Sequence, residues 1–290
     1  MATSSLLSLF AYAGALFGTN PRSSSDIRPA YEPLSGAPSC PLDGPLSCHN
    51  STPIEGSCCF VHPGGRMLLT QFWDQEVHAG GAEEDWTLLG LWPDLCDGTY
   101  DQSCHMTPHF SNITEILEHH GQHELLQFMN RYWLAASGPN SRLWEHEYNK
   151  HATCINTLAP SCYGDMHVTG VEVVDYFTRA SALFRTLDTY YALEKAGITP
   201  HARKHYPLVD IQKALEKFSG GRVILRCSGG RGNRADVLHE AWYAYFVKGS
   251  LQTGDFVPAQ DVGWKGDASN CAPWVRYLPK RKHGGTEEDL

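Results

Sequence analysis

Ten cysteines constrain this chain more than any other feature. They stand at Cys40, Cys48, Cys58, Cys59, Cys96, Cys104, Cys154, Cys162, Cys227 and Cys271. The set is even and lacks the repeated C-x-x-C spacing a zinc site would use. Read as five disulfides, it implies folding in an oxidising compartment and forces distant segments to meet. A bond between the neighbours Cys58 and Cys59 would close a strained ring, so each is expected to reach a different remote partner. The amino terminus fits such a compartment. Residues 6–17, LLSLFAYAGALF, form a short apolar run with small residues near its end, as in a secretory signal. That run is too short to span a bilayer comfortably, and no membrane attachment is expected once it is removed. We expect the signal over residues 1–19, with cleavage near Ala15 to Thr19, although its first residues carry no Lys or Arg. Sequons at Asn50 (NST) and Asn112 (NIT) add weight to a glycosylated, secreted chain.

Residues 20–39 are rich in Pro and Ser and read as a linker, residues 40–279 as one cysteine-containing domain, and residues 280–290 as a charged, disordered tail. With 23 basic against 32 acidic side chains the net charge is −9. A global basic field for nucleic acid is therefore absent, and any RNA contact must be local. Apolar and aromatic runs predict strands at 66–74 and 85–92, and further strands at 222–227 and 241–247. Steps of three and four predict helices over 113–133, 142–152, 171–197 and 207–221. Helices and strands mix without regular βαβ alternation. The expected class is α+β, with a largely antiparallel β-sheet flanked by helices and five disulfides.

The densest chemistry lies in EHEYNKH, residues 145–151. On a helix, His146, Glu147, Lys150 and His151 share one face while Glu145 points elsewhere. Lys150 supplies a permanent positive charge, His151 a base that titrates near neutrality, and Glu147 can hold either in place. Such a set suits a phosphodiester, whose oxygens carry charge and whose attacking hydroxyl must lose a proton. A solvated helix with Glu–Lys pairs explains Glu147 and Lys150 equally well. It leaves two histidines beside Trp144 unexplained. A zinc H-E-x-x-H motif fails because its second histidine would fall at Lys150, so no metal and no cofactor are expected.

LWEHEYNKHATC resembles the second active-site segment of the ribonuclease T2 family, F-W-x-H-E-W-x-K-H-G-T-C, and WTLLGLWPD (86–94) resembles the first, F-T-I-H-G-L-W-P-D. The likeness continues through CDGTYDQSC, LTQFW, GITP and RYLPK and covers roughly residues 40–279. It implies the pairings Cys40–Cys59, Cys48–Cys96, Cys58–Cys162, Cys104–Cys154 and Cys227–Cys271. It also implies metal-free cleavage of single-stranded RNA by a monomer. The ribose 2′-oxygen attacks phosphorus and leaves a 2′,3′-cyclic phosphate, so DNA is excluded for want of a 2′-hydroxyl. By position, His151 is the base, Glu147 and Lys150 stabilise charge on the phosphate, and His146 holds a phosphate oxygen. Trp92, Asp94 and Tyr100 match a base pocket, Trp92 being equally explicable as core. The implied location is extracellular or vacuolar/lysosomal.

One departure dominates. Where the family places its proton-donating histidine, this chain has Leu89, which can neither give nor take a proton. A missing acid–base group costs about 10²–10⁴ in rate, or about 3–5 kcal/mol. His146 is the better-placed substitute and His78 the weaker one. Ala152 for glycine and Tyr148 for tryptophan are smaller departures, with strain expected at Ala152 if that position requires positive φ. Two expectations follow: a secreted endoribonuclease with much reduced turnover, or a non-catalytic RNA-binding or interaction protein on the same scaffold. The histidines in EHHGQHE (118–124) and HARKH (201–205) read as surface groups, and SGGRGNR (228–234) as a loop.

Overall fold

The computed structural model describes residues 36–41, 43–49, 57–75, 81–229 and 235–281. The expected signal, most of the linker, Asn50, His78, residues 230–234 and the end of the tail lie outside these residues. A seven-stranded sheet forms the centre. β1 (Arg66–Phe72) runs antiparallel between β2 (Thr87–Asp94) and β5 (Ala235–Lys248). The long β5 also takes β4 (Val223–Ser228) and β6 (Asp255–Pro258) antiparallel, and β7 (Cys271–Arg276) parallel. β3 (His205–Pro207) closes the far edge on β7. The class is α+β with a largely antiparallel sheet.

Among the described residues six helices flank the sheet: α1 (Ile113–His119), α2 (His123–Tyr132), α3 (Asn140–Lys150), α4 (Val171–Arg185), α5 (Thr189–Lys195) and α6 (Leu208–Ser219). Alternation along the strands divides the core. Leu69, Leu88 and Leu91 face Trp133, Tyr148 and Phe177 of the helical layer, while Leu68, Trp242 and Phe246 form a second cluster on the opposite face, edged by Trp92.

Two expected helices are each two. The 113–133 segment breaks at Gly121, whose φ of +69° no helix tolerates. The 171–197 segment breaks at Asp188, whose carboxylate accepts the Tyr191 N–H and so caps a new helix. Apolar periodicity passes through both breaks because the helices on either side of each break bury their apolar residues in one common core. The expected 142–152 helix runs two residues earlier at each end, from Asn140 to Lys150, and Ala152–Cys154 turn as a 3₁₀ helix. Expected strand 241–247 begins six residues earlier, at Ala235. β3, β6 and β7 were too short or too polar to stand out in the sequence. Lys280 and Arg281, expected in the tail, are tied down: Lys280 Nζ donates to the Asp85 carbonyl at 2.6 Å, and Arg281 N–H to that of Gln75 at 2.6 Å.

Five disulfides close the chain, as Cys40–Cys59, Cys48–Cys96, Cys58–Cys162, Cys104–Cys154 and Cys227–Cys271. Cys104–Cys154, with a sequence separation of 50, straps the 100–104 loop to the end of α3. Chain-entropy arithmetic for such a loop gives about 4 kcal/mol. Replacing both cysteines with alanine should lower unfolding stability by about that amount, read from denaturant midpoints. An unchanged midpoint would remove this strap from the account.

Candidate active site

α3 carries the site because its buried side is anchored firmly. Trp144 Nε1 donates to the Trp133 carbonyl at 2.9 Å. Tyr148 lies buried against Phe110, Tyr176 and Phe177, its hydroxyl 3.1 Å from Thr107 Oγ1. Tyr148 thus fills the tryptophan's place as a satisfied core residue. Ala152 is buried in its 3₁₀ turn and is not among the positive-φ residues, so the strain expected there is absent. Of the three departures from the family's segments, these two are structurally neutral.

The single expected stripe divides into two. Glu147 and His151 are buried, at 3% and 6% exposure, against β2. His146 is exposed and Lys150 half-buried, facing the open side. Glu145, expected to point away, lines the same hollow as His146 and Lys150. The cause is helix geometry: 146/150 and 147/151 are two four-residue rows set about 100° apart round the helix, and His151 continues the second row as the cap with φ −111°. Trp92 organises the buried half. Its ring stacks on His151 at 5.0 Å and 17°, its Nε1 donates to Glu147 Oε2 at 2.7 Å, and its edge meets Trp242. One indole face is therefore taken by the imidazole. Gly90 permits this approach. A Cβ there would fall within the Glu147 carboxylate and 2.6 Å from Trp92 Nε1.

Burial sets the protonation states. Desolvation pushes Glu147 up to about 8 against the Trp92 hydrogen bond and Lys150, and pushes His151 down to about 3, with Lys150 and His146 lowering it further. Both groups are neutral around pH 6, so their 3.8 Å contact is not an ion pair and is too long for a hydrogen bond. His151 Nε2 is buried with no hydrogen-bond partner among the described residues. It is a nitrogen in the proton-accepting charge state with nothing yet to accept. A neutral Glu147 does not repel a phosphate, and its free oxygen can donate to one. His146 is lowered by partial burial and by Lys150.

Asp94 ends β2 in an antiparallel bridge with Tyr100. It is buried, and desolvation together with Asp267 raises it to about 8 despite Arg66. Tyr100 is 59% exposed, with its ring open to stacking. Glu147 and Asp94 hold protons in the folded state that the unfolded chain releases from about pH 4 upward. Their stabilisation is complete below those unfolded values and disappears as pH rises to about 8. His151 acts in the opposite sense, gaining stability from about pH 3 to 6.5 and nothing above. Melting temperature should therefore fall between pH 6.5 and 8. Glu147→Gln with Asp94→Asn should flatten that fall; a native melting curve flat over this interval would contradict the assigned protonation states.

Leu89 sits where β2 bulges. Thr70 pairs with Gly90 and Gln71 with Leu88, leaving Leu89 unpaired, and bulges re-aim side chains. Its carbonyl accepts the Trp133 indole N–H at 2.8 Å. Its side chain lines a cavity of about 640 Å³ shared with Phe72 and His239 of the sheet and with Arg142, Leu143 and His146 of α3. His239 was missed by sequence reasoning. It lies at a second bulge, where β4 pairs Arg226 with Glu240 and Cys227 with Leu238, in the part of β5 that the apolar pattern did not reveal. Its ring meets Phe72 at 6.2 Å and its Nε2 lies 3.7 Å from Glu240 Oε1. Arg142, also missed, precedes His146 by one turn and had no motif to mark it. Of the weaker histidines, His120 Nε2 pairs with the Thr169 carbonyl and His201 Nδ1 accepts two backbone N–H groups. Asn112 is exposed at the start of α1.

The ribonuclease T2 family model matches residues 64–258 of the chain. Ribonuclease Trv of Hypocrea rufa is 46% identical over 242 residues, covering 83% of this chain and 98% of that protein. Ribonuclease T2 of Aspergillus oryzae is 44% identical over 250 residues, covering 86% and 87%. Among solved structures, that of Actibind, described as a T2 ribonuclease, superposes with a TM-score of 0.75 at 43% identity, covering 83% of this chain and 98% of that one.

Proposed function

Because the chain belongs to the ribonuclease T2 family, we propose that it is an endoribonuclease acting on single-stranded RNA, with turnover strongly reduced by Leu89. His151 takes the proton of the ribose 2′-hydroxyl, the 2′-oxygen attacks the adjacent phosphorus, and the 5′-oxygen leaves. The products are a 2′,3′-cyclic phosphate and a 5′-hydroxyl. Lys150 and protonated Glu147 hold the phosphate oxygens as charge develops, and His146 holds a further oxygen from the open side. Trp92 positions His151 and Glu147, while Tyr100 and Asp94 receive the base. With an aliphatic side chain at the bulge, the leaving oxygen draws its proton from an imidazole bordering the same cavity, His146 or His239, or from water. The domain spans residues 40–279, works without a metal as a monomer, and acts outside the cell or in a vacuole or lysosome after signal removal. Sugars at Asn50 and Asn112 fit that route.

The observation that carries this reading is the preserved cluster of Trp92, Glu147, Lys150 and His151, assembled over Gly90. Incubation with RNA at mildly acidic pH should yield slow accumulation of 2′,3′-cyclic phosphate ends. Leu89 itself favours a second reading, in which the same surface binds RNA without cutting it. RNA binding with no cyclic phosphate, however long the incubation, would establish that one instead.

A further inference from the structure

α3 has an outward edge that the cleavage scheme uses only in part. Arg142, His146 and Lys150 follow one another at four-residue steps, so each side chain stands one turn, about 6 Å, from the next. A hollow of about 550 Å³ lies between this edge and residues 102–103. The three side chains line it together with Gln102 and Ser103. Its outer wall is fixed, because the Ser103 N–H donates to the Lys150 carbonyl at 2.8 Å and Cys104–Cys154 locks the same loop to the helix end. Asn149 also faces the hollow, but its amide is spent on both backbone groups of Phe110. Glu145 is the one carboxylate in the lining. Arg142 is exposed and has no carboxylate partner among the described residues.

We propose that this hollow is a second phosphate site, which takes the phosphate next along the strand from the one being cleaved, with Arg142 as its principal ligand. The assignment rests on the RNA reading above and extends it. The charge pattern suits an anion: two permanent cations and an imidazole face it against a single acid. Lys150 belongs to both sites, so a strand seated at the Glu147–Lys150–His151 cluster carries its neighbouring phosphate along the same helical edge. Arg142 also borders the Leu89 cavity, which places it where the strand crosses from one recess to the other. Guanidinium geometry favours two parallel hydrogen bonds to phosphate oxygens.

The test uses the full-length protein and 2′-O-methyl oligonucleotides, which lack the attacking hydroxyl. One probe is a dinucleoside monophosphate and the other a tetranucleotide. Arg142→Ala should weaken the tetranucleotide about five- to tenfold and reduce the slope of log K against log salt by about 0.7. The dinucleotide, with one phosphate, should bind as before. Arg142→Lys should recover most of the loss, and Glu145→Gln should tighten the tetranucleotide alone. Equal losses on both probes, or no loss on either, would overturn the second site while leaving the cleavage reading intact. Native protein that binds neither probe would overturn both.

Discussion

Leu89→His is expected to raise the rate of RNA cleavage by about 10²–10⁴-fold, the contribution of a positioned general acid. The effect should approach the upper end because an unprotonated 5′-oxygen is a poor leaving group. The structure has kept the place ready. Residue 89 occupies the bulge of β2, its carbonyl is held by Trp133, and its side chain shares a cavity with His146. Leu89 is only half-buried, so an imidazole there keeps access to solvent and to protons. Nothing else in the cluster needs rebuilding. Measured as initial rates of 2′,3′-cyclic phosphate formation, the gain should vanish again when His151→Ala is added, since base and acid act in one step. A folded Leu89→His protein that binds RNA and still forms no cyclic phosphate would sink the assignment of roles at this site.

Gly90→Ala should cost about 2–6 kcal/mol of stability and, in the Leu89→His background, about 10²-fold in rate. The added carbon would meet the Glu147 carboxylate and the Trp92 indole nitrogen. Overpacking of this kind costs about 1–3 kcal/mol. Displacing the carboxyl also breaks the Trp92 hydrogen bond, leaving buried polar groups unsatisfied at about 1–3 kcal/mol more. The rate falls for a separate reason. Glu147, Trp92 and His151 form one stacked and hydrogen-bonded unit, and a shift of about an ångström in such a unit costs about two orders of magnitude. Denaturant midpoints and cleavage rates measured together separate the two losses. If neither moves, Glu147 does not lie over Gly90.

These two positions also show where sequence reasoning reaches its limit. In the second segment residue type and helical spacing left phosphodiester chemistry and a solvated helix both open, and the resemblance to the ribonuclease T2 family decided between them. The departure at residue 89 was visible against the family's first segment, since leucine has no proton to give whatever surrounds it. The common face assigned to His146, Glu147, Lys150 and His151 was only half right. Spacing fixes which side chains are neighbours. It does not say that Glu147 and His151 would be pressed against β2 while His146 and Lys150 stayed in the open. That division inverts the expected charge state of Glu147, because desolvation outweighs the nearby lysine.

The roles of base and missing acid came from the resemblance to the ribonuclease T2 family, while the ten cysteines, the class of fold and the titratable set His146, Glu147, Lys150 and His151 were properties of the chain's own letters. They depend on residue type and short-range periodicity, which survive without coordinates. Only the folded molecule decided that Gly90 must lack a side chain, that Trp92 braces the imidazole, and that Arg142 and His239 border the Leu89 cavity. Those facts arise where strands β2 and β5 and helix α3 approach one another, 55 residues apart in the chain for Trp92 and Glu147 and farther for His239, and burial and close approach at such distances leave no periodic mark in sequence.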